Sequence, residues 1–141
     1  MGTLQDFHIT VDSLSLISQS HPASQTFASA SRALHYPSFL AQVQQQASGI
    51  FVFKLTNHKS EAECWTIDTR NSNRVTRGEG SGADVKIGLS DEDFKRLRDG
   101  QTSPQMLYVA GRLKVEQGSI WAARQSQTFF KLMAEFLKQP N

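Results

Sequence analysis

Apolar residues recur with two different periods along this chain, and the changes of period mark out its elements. From Gln25 to His35, Phe27, Ala30, Ala33 and Leu34 fall on one helical face. Tyr36-Pro37-Ser38 interrupts that pattern, and Phe39, Leu40 and Val43 begin a second helix. Gly49 to Leu55 is a nearly continuous apolar run, the pattern of a strand buried on both faces and therefore central in its sheet. Polar turn material follows, and Glu63 to Asp68 alternates around Trp65 and Ile67, which predicts a hairpin. Asn71 to Gly82, rich in glycine, asparagine and arginine, is expected to be a mobile surface loop.

The segment from Gly82 to Gly118 packs four elements into fewer than forty residues. Ala83 to Leu89 alternates as a half-buried strand does. Ser90 stands at a helix N-cap position with Asp91, Glu92 and Asp93 in the first turn, Phe94 and Leu97 follow at helical spacing, and Gly100 closes the element. Pro104 opens a short helix carrying Met106, Leu107 and Val109, which Gly111 ends. Leu113 and Val115 then alternate with charged residues as a further strand.

Beyond Gly118 the pattern is helical again, with Ile120, Trp121, Ala123, Phe129, Phe130, Leu132, Met133, Phe136 and Leu137 giving a wide apolar face. Two readings fit that face: a core seam, or the wall of a cavity where small residues leave room and methionine adapts to varied ligands. Residues 1–23 hold a short alternating run at Phe7, Ile9 and Val11, then Leu14, Leu16 and Ile17, and a segment rich in serine and alanine. An edge strand, a tail over an apolar surface and a partly ordered extension all fit it.

A chain of 141 residues suits one domain with a real core. The formal charge of +2 is spread out, apart from Arg70, Arg74 and Arg77, so nothing marks a nucleic-acid partner. Cys64 is the lone cysteine, which rules out an intramolecular disulfide and fits a reducing compartment. No apolar run approaches the ~18 residues of a spanning helix. Neither a secretory signal nor a C-terminal peroxisomal address is visible, and the expected location is intracellular, cytoplasmic or peroxisomal.

Catalytic and metal chemistry find little support. His8, His21, His35 and His58 lie in segments of different type without ligand spacing. Cys64 sits inside an expected strand with no base beside it, so it is expected to be structural. The glycines of Gly78-Glu79-Gly80-Ser81-Gly82 precede a strand instead of opening a helix, which argues against a phosphate cradle. The carboxylates of Asp91, Glu92 and Asp93 are accounted for by a helix's first turn. No enzyme activity, metal or cofactor is expected.

From about Phe27 onward the chain resembles the sterol carrier protein-2 family. The matching signals are Gly49-Ile50-Phe51-x-Phe53-Lys54, Trp65-x-x-Asp68, Ala83-Asp84-Val85, Leu89-x-Asp91-x-Asp93-Phe94, and Gly100-x-x-x-Pro104-Gln105 leading to Gly111-x-Leu113-Lys114-Val115. The resemblance implies an α+β fold: a five-stranded, mainly antiparallel sheet with helices over one face, enclosing an apolar lipid-binding tunnel. It implies a domain over 24–141 preceded by an extension over 1–23. The implied function is non-enzymatic binding and transfer of sterols, fatty acids, fatty acyl-CoAs or phospholipids, with transient membrane contact, by a monomer or weak dimer. By similarity the tunnel wall draws on Phe39, Val43, Phe94, Leu97, Met106, Leu107, Val109, Val115, Ile120, Trp121, Ala123, Phe129, Phe130 and Met133, with Arg124 and Gln125 as polar neighbours of a head group. The turn Glu116-Gln117-Gly118 is one residue longer before its glycine than the family pattern, which leaves the register of the last helix open. The competing reading is a protein-protein assembly module that docks through the apolar C-terminal helix.

Overall fold

The structure is a computed structural model that describes residues 13–138. A single 3-10 turn, Pro22–Ser24, leads into α1 (Gln25–Ala33) and α2 (Pro37–Gln46). Three strands follow, β1 (Ile50–Thr56), β2 (Ala62–Asp68) and β3 (Arg74–Arg77), then β4 (Val85–Ser90). The chain continues through α3 (Asp91–Arg98), α4 (Pro104–Val109), β5 (Lys114–Gln117) and the long α5 (Ile120–Lys138). The sheet order is β3-β2-β1-β4-β5, with β1 and β4 parallel and every other pair antiparallel.

β1 is central, as its apolar run predicts. Phe51, Phe53 and Leu55 point into the buried cluster beneath the helices. Successive side chains of a strand face opposite ways, so Ile50 and Val52 lie on the other face, where both are also buried. The Gly78 to Gly82 segment folds over that second face. The Thr66 hydroxyl donates to the Gly78 carbonyl and accepts from the Gly80 N–H, each at 2.8 Å. Gly80 serves this close approach, since a Cβ there would press on the Thr66 side chain, whereas Gly78 and Gly82 supply positive φ values of +105° and +74°.

The expected loop over 71–82 contains a strand. β3 pairs with β2 from Trp65↔Arg77 to Asp68↔Arg74, and only Val75 in it is apolar and buried. One apolar residue among four cannot display a period, which is why the strand is hidden in the sequence. Arg77 secures it by a bidentate pair to Glu63 at 2.7 and 3.0 Å.

The extra residue before Gly118 is absorbed by a bulge. Lys86 opposes Gln117 and Ile87 opposes Val115, so Glu116 has no residue across from it. Its carboxylate lies between Lys54 at 3.6 Å and Lys86 at 3.5 Å. Gly118 then turns the chain into α5 with φ at +86°, tight against β4.

α3 starts at the expected Ser90 cap, and α4 starts at Pro104 as expected, with Ser103 as its cap. The Ser90 hydroxyl accepts from the Asp93 N–H at 3.0 Å, and the Ser103 hydroxyl from the Met106 N–H at 3.2 Å. Asp93 also takes a bidentate pair from Arg112 at 2.9 and 3.0 Å, which fastens α3 to the approach of β5.

Residues 13–24 run along the β1–β2 end of the sheet. The Trp65 indole N–H donates to the Leu16 carbonyl at 2.8 Å, Asn57 donates to the Ser20 carbonyl at 2.9 Å, and His21 Nε2 lies 3.0 Å from the Glu61 carbonyl. Leu16 and Ala23 join the core cluster. The run Phe7, Ile9 and Val11 lies outside the described residues.

Two variants probe this framework. Gly118→Ala forces a Cβ into the Asp84 carbonyl and a positive φ on a side chain, so it should destabilise the fold by more than about 2 kcal/mol in denaturant unfolding. Asp91 is buried with Oδ1 unpartnered, and burial raises its carboxyl above the ordinary range despite the opposing charge of His21. Folding therefore disfavours its ionised form, a cost present above that raised value and lost as pH falls. Asp91→Asn should melt higher than the parent at pH 8, with the gain vanishing towards about pH 4.

Candidate functional site

A continuous set of contacting aromatic rings runs through the buried space between the sheet and α5, among aliphatic side chains. Phe53 rises from the middle of β1 and meets a ring from each of three helices: Phe27 of α1 at 5.7 Å between centroids, Phe94 of α3 at 5.4 Å, and Phe130 of α5 at 5.6 Å. Phe27 stacks between Trp65 at 5.0 Å and Phe94 at 5.2 Å. Phe130 continues the contacts to Phe94 and Phe129, both at 5.4 Å. Phe129 meets Phe39 of α2 at 5.7 Å, and Phe39 meets Phe136 at 5.1 Å. Such separations are those of rings in contact, each pair adding about 0.5–1.5 kcal/mol beyond area burial. In this structure the rings themselves occupy the interior.

Helical geometry decides which of the expected wall residues reach that interior. Phe39 and Val43 of α2, Phe94 and Leu97 of α3, Leu107 of α4, and Ala123, Phe129, Phe130 and Met133 of α5 all lie in the buried cluster. Val115 and Ile120 pack at its margin. Met106, Val109 and Trp121 do not reach it and stand 66%, 85% and 69% exposed. At about 100° per residue, Met106 and Val109, three residues apart, share the outer side of α4 with Val109 nearly opposite Leu107, and Trp121 lies nearly opposite Ala123. Arg124 and Gln125 are exposed on the outer side of α5.

The outward-facing residues of α5 border a different feature. Trp121, Arg124 and Gln125 line an open groove of about 840 Å³ between α5 and the C-terminal end of α3, with Leu97 among its lining residues. Leu97 thus touches both the groove and the buried cluster. Phe27, Phe53 and Trp65 also lie in the buried cluster, although they were not among the expected wall residues. Their signal was present in the apolar run of β1, the alternation of β2 and the helical face of α1.

α5 is held to its surroundings by few polar contacts. Gln127 donates to the Thr102 carbonyl at 2.7 Å, and the fully buried Ser126 hydroxyl turns back to the Ala123 carbonyl at 2.6 Å. The rest of its inner face is apolar.

No reactive constellation accompanies these walls. Burial pushes the Cys64 thiol up, against the attraction of Lys86, which is the opposite of an activated thiolate. Among the described residues no group of three or more His, Cys, Asp or Glu side chains is placed to hold a metal ion. Nor is any described helix long and apolar enough to cross a membrane.

The fold has counterparts among known proteins. Residues 32–131 match the model of the SCP-2 sterol transfer family. A fatty acid-binding protein of Yarrowia lipolytica is 35% identical over 86 residues, spanning 59% of this chain and 67% of that protein. The peroxisomal multifunctional enzyme type 2 of mouse is 36% identical over 92 residues, which cover 64% of this chain and only 12% of the enzyme. The apo form of sterol carrier protein 2 from Yarrowia lipolytica superposes with a TM-score of 0.76 at 30% identity, covering 84% of this chain and 97% of that one. With one hundred consecutive positions matched and the fold shared, this chain belongs to the SCP-2 sterol transfer family.

Proposed function

We propose that this protein is a non-enzymatic intracellular lipid carrier, in which an acyl chain, of a fatty acid, fatty acyl-CoA or phospholipid, or a sterol enters between the sheet and α5. The observation that carries the proposal is an interior of mutually contacting rings covered in part by the amphipathic α5, which has few described polar ties. The relative from Yarrowia lipolytica named a fatty acid-binding protein supports a lipid ligand of this kind.

The physical account is an exchange of contacts. Rings of Phe39, Phe129 and Phe130 turn from one another onto the ligand as α5 shifts outward, so a tunnel forms as it is filled. Each ligand methylene withdrawn from water contributes about 0.8 kcal/mol, enough over an alkyl chain to offset the lost ring contacts. Because the gain scales with apolar area, such a site discriminates by length and bulk more than by head group, which suits a broad ligand range. The carrier works as a monomer or weak dimer, reaching membranes transiently.

Titration with a fluorescent fatty acid tests this reading. The protein should saturate at one probe per chain, and Phe130→Ala, which removes wall contacts, should weaken binding by about tenfold. Met106→Ala, on the outside of α4, should leave affinity within about twofold. Absence of saturable binding, with self-association through α4 or α5 instead, would favour the assembly-module reading.

A further inference from the structure

The outer face of α5 carries an arrangement for which lipid enclosure has no use. Arg124, Lys131 and Lys138 recur at seven-residue intervals and so form one row, stepping about 10 Å along the helix. All three are exposed, and none pairs with a carboxylate among the described residues. Arg70, Arg77, Lys86, Arg98 and Arg112, by contrast, are each held by one. Trp121 stands one turn before the row, 69% exposed, with the Arg124 guanidinium 5.0 Å from its ring centroid. Glu135 is the only acid of α5, and Asp99 on the facing wall is already engaged by Arg98 at 2.8 Å. Cations are therefore in excess along this face.

An exposed indole beside a row of free cations matches the interfacial zone of a bilayer, where tryptophan settles among head groups and basic side chains meet anionic lipid. The whole chain carries only +2, so the attraction comes from arrangement and not from total charge. We propose that the Trp121–Arg124–Lys131–Lys138 face of α5 is the docking surface for an anionic lipid bilayer, with the indole in the head-group layer and the cations along the lipid phosphates. The proposal rests on the carrier reading and deepens it. Docking by this face sets against the membrane the helix that contributes Phe129, Phe130 and Met133 to the interior, so a ligand leaves or enters beside that helix.

The experiment is sedimentation of the protein with phosphatidylcholine vesicles that contain either no phosphatidylglycerol or about a third of it. Binding should require the anionic lipid and fall steeply from 0.1 to 0.5 M salt. Arg124→Gln/Lys131→Gln/Lys138→Gln should lower partitioning on the order of 100-fold, at about 1 kcal/mol per basic residue near an anionic surface. Lys59→Gln/Arg74→Gln/Lys114→Gln, the same charge change on exposed residues elsewhere, should lower it less than about threefold. Trp65 is fully buried, so a blue shift of emission on vesicle binding should come from Trp121 and vanish in Trp121→Phe. Fatty-acid probe binding in vesicle-free solution should be alike in Lys131→Gln/Lys138→Gln and in Lys59→Gln/Arg74→Gln/Lys114→Gln, which separates failure of docking from failure of the carrier reading. No binding to anionic vesicles, equal loss in the two triple variants, or emission unmoved by vesicles would overturn the proposal. So would displacement from the vesicles by millimolar inorganic phosphate, which would make the row a site for a free anion.

Discussion

The structure depends on covering the inner face of β1. Phe51, Phe53 and Leu55 emerge from the central strand on one side, and Phe53 is touched by rings from α1, α3 and α5. Removing this surface from water is what draws three helices of different origin onto one spot. The other features serve that closure: the bulge at Glu116 and the turn at Gly118 bring α5 back over the sheet, and the Asp93–Arg112 pair holds α3 beside it. Residues 13–24 brace the opposite end through the Trp65 indole, so the stacked Phe27–Trp65 pair is fixed from below while Phe130 is fixed only by packing.

That asymmetry gives the two sides of the interior different mechanical character. Phe27, Phe53 and Trp65 sit on a sheet and a braced helix, whereas Phe129, Phe130 and Met133 ride on α5, whose described side-chain ties to other elements are few. Contacts between rings are non-directional and easily traded for contacts with an alkyl chain. A hydrogen-bonded interior would resist the same exchange, because each broken bond would leave a buried polar group unpaired. An aromatic wall on a loosely tied helix is thus compatible with both a packed empty state and a filled one.

Much of this was legible in the residues. The run from Gly49 to Leu55 announced a central strand, Ser90 and Pro104 announced two helix starts, and α3 and α4 begin where they were expected. The strand at Arg74–Arg77 was not legible, because a short edge strand with one buried residue has no period to detect. Which apolar residues reach the interior was legible where several apolar positions shared a helical face, as in Phe129, Phe130 and Met133. Others were misplaced where the element was too short for a face to show itself, as at Met106 and Val109, or where a large aromatic residue was assumed to be inside, as at Trp121. Hydrophobicity says that a side chain gains by leaving water, and only geometry says whether a ligand, a membrane or a neighbouring ring takes it there.

The most direct test of the account is the mass of the protein as isolated, compared under native and denaturing conditions. The account predicts a native mass exceeding the chain by one lipid, which denaturing extraction releases and identifies. A chain that is isolated empty, and that stays at its bare mass after incubation with fatty acid, acyl-CoA and sterol, would contradict it and leave the aromatic interior as a core alone.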